Sequence, residues 1–134
     1  IKEFGTVNKK KLAGMIFSDT AKLKKLNAIV HPLVKKDISK QIENSNAGLI
    51  IIDAPLLIEA NICTDKLVVV KARTVKRRER LRGNFGNEDL FLRDKAQMTI
   101  SEKIRYSDFV VDNNGSIKDT EKQVKKIWDK ISDK

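Results

Sequence analysis

At 134 residues the chain suits one domain, since single cores commonly take about 100 to 200 residues, and a 40% hydrophobic content can fill such a core. The balance of 28 Lys+Arg against 18 Asp+Glu gives a net charge of +10, which favours anionic partners such as nucleic acid, phospho-ligands or acidic membranes without choosing among them. A single cysteine, Cys63, excludes an intrachain disulfide and a cysteine zinc cluster, and no apolar stretch approaches the roughly 20 residues of a membrane span.

These features, with an N-terminus that lacks the order of a signal peptide, predict a soluble protein of the reducing cytoplasm with no membrane partner. Cys63 reads as a small packing residue. No internal repeat, low-complexity tract or interdomain linker interrupts the chain, so 1–134 reads as a single domain.

Residues 8 to 17 place Leu12, Met15, Ile16 and Phe17 on one face at spacings of three and four, which predicts a short helix. Ser18, Asp19 and Thr20 then offer capping oxygens ahead of a second amphipathic run with Leu23, Leu26, Ile29 and Val30. Proline breaks an interior turn but is tolerated in a first one. Pro32 therefore predicts a helix boundary, with a further helix carrying Leu33, Val34, Ile38 and Ile42 to a stop at Asn44–Gly48.

Three apolar runs bounded by polar residues follow as predicted strands: Leu49 to Asp53, Leu67 to Lys71, and Phe109 to Asp112. The first ends in Asp53-Ala54-Pro55-Leu56-Leu57-Ile58-Glu59, which sets a carboxylate and a proline turn where open α/β sheets hold ligands. Between the second and third strands the segment 73–95 concentrates arginines, and Gly83 and Gly86 flank Phe85 as a break suited to a mobile lid. Thr99-Ile100-Ser101-Glu102 matches a capping box that starts a helix to about Ser107. After the last strand, Asn113-Asn114-Gly115-Ser116 reads as a turn and cap. A final helix then turns Val124, Ile127, Trp128 and Ile131 inward. Strands alternating with helices make the fold class α/β with a largely parallel sheet.

Three blocks carry a resemblance when taken in order: Leu26 to Val34 with its His31-Pro32 pair, Asp53 to Glu59, and Ser107 to Gly115. Together they resemble the dephospho-coenzyme A kinase family over nearly the whole chain from Gly5. The resemblance implies a partial P-loop kinase-type fold, three layers of α/β/α with a parallel sheet. Its helical substrate region would span 8–48, its core strands 49–72, its lid 73–106, and its last strand and C-terminal helix 107–134.

The activity it implies is transfer of the ATP γ-phosphoryl group to the ribose 3′-hydroxyl of dephospho-coenzyme A, the last step of coenzyme A biosynthesis. ATP would enter as a substrate with Mg²⁺, and no tightly bound cofactor is expected. Phosphoryl transfer relies on positioning and charge neutralisation. By the resemblance Arg80 is the catalytic lid arginine, whose guanidinium fork can pair with two phosphate oxygens. His31, Pro55, Leu56, Leu57 and Glu59 are the substrate-side residues, and Asn113, Asn114 and Gly115 form the adenine turn. Asp53 is a candidate for Mg²⁺ through water, an oxygen ligand suiting that hard ion. The family's second lid arginine falls near Asn84.

The chain contains no Gly-x-x-x-x-Gly-Lys-Ser/Thr string, the sequence whose backbone N–H groups cradle phosphates. By the resemblance that loop and its strand lie ahead of the residues matched by Glu3 to Lys11, so a P-loop segment is an expected partner and the chain alone is expected to be inactive. Two other readings fit the composition. One is a non-catalytic module that binds a coenzyme A-like ligand or regulates a partner. The other is a basic nucleic-acid-binding domain, disfavoured by 5% aromatic residues and the lack of a recognition motif.

Overall fold

A computed structural model of the chain describes residues 9–17, 19–81, 92 and 94–132. These divide into two compact units, Ile1–Ile62 and Cys63–Lys134. Among the described residues no helix is long and apolar enough to cross a membrane.

In the first unit, helix α1 (Lys9–Phe17) packs against helix α2 (Thr20–Glu43). Asp19 starts α2 in extended backbone, its Oδ1 accepting the N–H groups of Ala21 (2.9 Å) and Lys22 (3.1 Å), two donors that the first turn would otherwise leave unmet. Those bonds, the one from Lys22 first, hold the Asp19 carboxyl below the usual carboxylate range. Contrary to the expected boundary at Pro32, α2 runs through it without interruption. Pro32 removes the N–H that would reach the carbonyl of Ala28, but both residues lie on an exposed side of the helix, where water can take the freed carbonyl. Ile16 is buried, whereas Leu12, Met15, Ile29 and Leu33 are exposed, so the predicted apolar faces are only partly covered.

The run Leu49 to Asp53 forms no strand, a second correction. A strand exists only through a neighbour's backbone, and this segment finds none among the described residues. Its Leu49, Ile50 and Ile51 are exposed, Ile51 to 80%. The turn after it is well defined. Ala60 N–H bonds Leu56 O at 2.8 Å, Asn61 N–H bonds Ile58 O at 2.8 Å and Ile62 N–H bonds Leu57 O at 3.0 Å. The last two bonds, with Asn61 at φ 52°, make a Schellman closure, the left-handed position falling on an asparagine, which tolerates it. Leu57 and Ala60 are buried by this coil.

The second unit holds the sheet. Strands β1 (Val68–Lys71) and β2 (Phe109–Asp112) pair in parallel, Val68 opposite Phe109 through Lys71 opposite Asp112. This register sets the two buried valines, Val69 and Val111, on opposite faces of the pair, so both faces are partly covered, as an α/β layer arrangement requires. Asp108 fastens the start of the sheet, accepting Leu67 N–H at 2.8 Å and the Lys66 ammonium at 3.2 Å. Those contacts, Leu67 first, lower its pKa.

Helix α3 (Thr74–Leu81) follows β1, and α4 (Ile100–Tyr106) precedes β2. The capping box expected at Thr99 is present: Glu102 N–H donates to Thr99 Oγ1 (3.2 Å) while Thr99 N–H donates to Glu102 Oε2 (2.7 Å). Helix α5 (Ile117–Ser132) packs on β2 with Ile127 and Ile131 half-buried. Val124 and Trp128, expected inward, are about half exposed, at 50% and 51%. With Ile117 they line a surface groove of about 530 Å³ beside Asn113 and Thr120. Cys63 is exposed rather than packed. Gly83, Asn84, Phe85 and Gly86 lie outside the described residues.

Candidate functional site

Two of the residues singled out from sequence meet directly in the second unit. Arg80, in the last turn of α3, donates from Nη1 to the backbone carbonyl of Asn113 at 2.9 Å. The helix start is tied to the same turn, because the N–H of Arg73, just ahead of Thr74, donates to Asn114 Oδ1 at 2.7 Å. Helix α3 is therefore held at both ends to the residues that follow β2. Arg77 is engaged separately, in an ion pair with Asp94.

The 113–115 turn is stiffened from within. Asp112 Oδ1 accepts the backbone N–H of Asn114 (3.0 Å) and its Nδ2 (2.6 Å), an Asx-type turn. These bonds, the backbone one first, depress the Asp112 pKa, and Lys71 Nζ adds a contact at 3.3 Å to Oδ2. Both ends of the Asn114 amide are thus taken up by protein, one on Asp112 and the other on Arg73. Asn113 differs: its Oδ1 accepts from Thr120 Oγ1 at 3.2 Å, and the residue lines the groove on α5.

Gly115 has a steric reason to be glycine, since a Cβ there would sit 3.1 Å from Asp119 Oδ2. That carboxylate is occupied in starting α5. It accepts Ser116 Oγ–H (2.6 Å) and Ser116 N–H (3.1 Å), while Asp119 N–H donates back to Ser116 Oγ (3.2 Å). The Ser116 side chain first, then its backbone, lowers the Asp119 pKa.

The substrate-side candidates belong to the first unit. His31 is half-buried within α2. Asp53 and Pro55 are exposed, Leu56 and Glu59 half-buried, and Leu57 is 6% exposed, a core residue of the turn rather than an open contact. Asp53 does not sit at a strand end, and among the described residues no three His, Cys, Asp or Glu side chains converge as a metal site. A lone exposed carboxylate does not make a magnesium site by itself. The ion would need ligands beyond this set, the oxygens of a bound polyphosphate first.

The sequence did not single out Arg73, Thr120, Asp119 or Gln123 as site residues. Only Ser116-x-x-Asp119, with capping-box spacing, carried a local signal. The other contacts join residues far apart in the chain.

The geometry can be set beside known proteins. A family model described as dephospho-CoA kinase matches residues 1–119. The chain is 42% identical over 134 residues to the dephospho-CoA kinase of Aquifex aeolicus, covering 97% of this chain and 68% of that protein. To the dephospho-CoA kinase of Listeria monocytogenes it is 41% identical over 127 residues, covering 90% of this chain and 64% of that protein. The crystal structure of TT1252 from Thermus thermophilus superposes with a TM-score of 0.75 at 30% identity, over 95% of this chain and 69% of that one. The chain thus spans about two thirds of the length of the relatives it matches.

Proposed function

The chain belongs to the dephospho-CoA kinase family, a family of phosphotransferases with an α/β fold, and on that premise we propose that it supplies the acceptor-binding, lid and adenine-binding parts of an ATP-dependent kinase acting on dephospho-coenzyme A. The product is coenzyme A, phosphorylated at the ribose 3′-hydroxyl, with ADP released.

One observation carries this reading: Arg80 and the Asn113 turn are joined by a hydrogen bond of 2.9 Å. The contact holds Arg80 beside the base-binding turn, and on nucleotide binding its fork can leave a neutral carbonyl for the more strongly attracting oxygens of a phosphate. In the proposed reaction Arg80 gathers charge from the transferring phosphoryl group as it loosens from ADP, and the arrangement of Asn113 to Gly115 receives the adenine. Magnesium that arrives with ATP neutralises further phosphate charge.

His31, Pro55, Leu56, Leu57 and Glu59 are assigned to the acceptor side, Leu57 by shaping the turn from within. Asp53 is assigned no inner contact with the metal. It would hold the metal through water, with other oxygens supplying the direct ligands. Phosphate capture is assigned to a P-loop segment beyond these residues, because their sequence carries no Gly-x-x-x-x-Gly-Lys-Ser/Thr string.

The test is coenzyme A formation from ATP and dephospho-coenzyme A. Product is expected when a P-loop segment is joined to or added with these residues, and not from the 134 residues alone. Product from the 134 residues alone would overturn the division of roles. No product in either arrangement would overturn the kinase reading.

A further inference from the structure

Gln123 is the least expected participant in the second unit, since it lies on α5 and carries no motif. Its side-chain amide grips one residue of the main chain twice: Asp112 N–H donates to Gln123 Oε1 at 2.9 Å, and Gln123 Nε2 donates to Asp112 O at 2.9 Å. A further bond from Nε2 to Asp119 O, 3.1 Å, fixes the amide to its own helix and sets which end faces which partner.

The double grip has a geometric cause. Phe109 N–H and Asn113 N–H both point to β1, reaching Leu67 O at 3.1 Å and Lys71 O at 2.8 Å. By the alternation of a strand, the N–H and C=O of Asp112 must point to the opposite edge of β2, where a further strand would pair. Gln123 stands in for that strand at one residue. It thereby sets the orientation of the peptide that leads into Asn113, and three contacts depend on that peptide: the Asp112–Asn114 Asx turn, the Asn114–Arg73 bond, and the carbonyl that receives Arg80.

We propose that Gln123 is a positioning residue for nucleotide binding, holding the 113–115 turn in its adenine-receiving geometry by clamping the backbone of Asp112. The inference rests on the reading of that turn as the adenine site. It adds a residue that touches no substrate and acts through Asp112.

The test uses the full-length protein and two variants. Gln123→Leu puts an apolar side chain one atom shorter in place of the amide and removes both bonds to Asp112. Ile127→Ala loosens the same helix without touching the turn. Gln123→Leu is expected to raise the KM for ATP about tenfold, as two partly buried hydrogen bonds warrant, with the KM for dephospho-coenzyme A changed by less than about twofold. Ile127→Ala is expected to lower the Tm and leave both KM values in place. Equal KM shifts in the two variants, or an unchanged KM for ATP in Gln123→Leu, would overturn the proposal.

A measurement on the unaltered protein decides the case where Gln123→Leu does not fold. ATP should slow hydrogen exchange at the Asp112 amide, which is bonded to Gln123, and no change in that exchange overturns the proposal. If the unaltered protein binds no adenine nucleotide, the adenine-site reading itself fails and this inference with it.

Discussion

Replacing Arg80 separates its resting contact from its proposed work. At rest its hydrogen bond to Asn113 O is exposed to solvent and made to a neutral carbonyl, so its loss should cost about 0.5 to 1 kcal/mol. For a chain of this size that is a Tm change of about 2 to 4 °C. In the proposed transition state the same guanidinium makes charge-assisted contacts to phosphoryl oxygens, worth about 2 to 4 kcal/mol. Arg80→Ala should then lower kcat/KM by about 30- to 1000-fold. Arg80→Lys keeps the charge but not the planar fork and should lose about tenfold. Steady-state rates of ADP release with the P-loop segment joined to or added with the chain, and thermal melts on the same samples, measure both quantities. If Arg80→Ala kept kcat/KM within about threefold of the unaltered protein, a figure too small for any charge-assisted contact, the phosphate role would be refuted.

Three further outcomes follow from the fold. Pro32→Ala restores a donor to the carbonyl of Ala28 on an exposed side of α2 and should stabilise the chain by about 1 to 3 kcal/mol in urea unfolding, whereas a loss would show that the proline is required there. Thr99→Ala removes one half of the capping box and should cost about 1 kcal/mol, read as faster hydrogen exchange at the Glu102 amide. Asp108 has a lowered pKa, so its contribution is present above the ordinary carboxylate range and fades as pH falls through its depressed value. Asp108→Asn should therefore be less stable than the unaltered protein at neutral pH and approach it in acid. A gap that stays constant with pH would contradict the assignment.

What could be read from the sequence was what is local. The capping box at Thr99 and Glu102 lies within one turn and depends only on its own residues, and β2 is found over the same residues as expected. The expected strand at Leu49 to Asp53 shows the limit. Its composition matches a buried strand, but pairing depends on a neighbour that the composition of the segment does not contain. Pro32 fails for a different reason, because its cost depends on whether the freed carbonyl meets water, which is a matter of the surroundings. Around the candidate site, the family resemblance singles out Arg80 and Asn114. Their bonds to Asn113 and Arg73 were not, since they join positions 33 and 41 apart in the chain.

The parallel pairing of β1 with β2 also sets an order of events during synthesis. Leu67 and its partner Asp108 are 41 positions apart, and a parallel partner cannot be supplied by a hairpin, so the sheet waits for α3, α4 and the connections between them to emerge. Until Asp112 has left the ribosome, the edge of Val68 to Val70 that faces β2 keeps its backbone groups open, whereas α2 has its own cap and can wind as it appears. The nascent chain is therefore most exposed to mispairing between the release of β1 and the arrival of β2, the interval in which a chaperone would have most to protect.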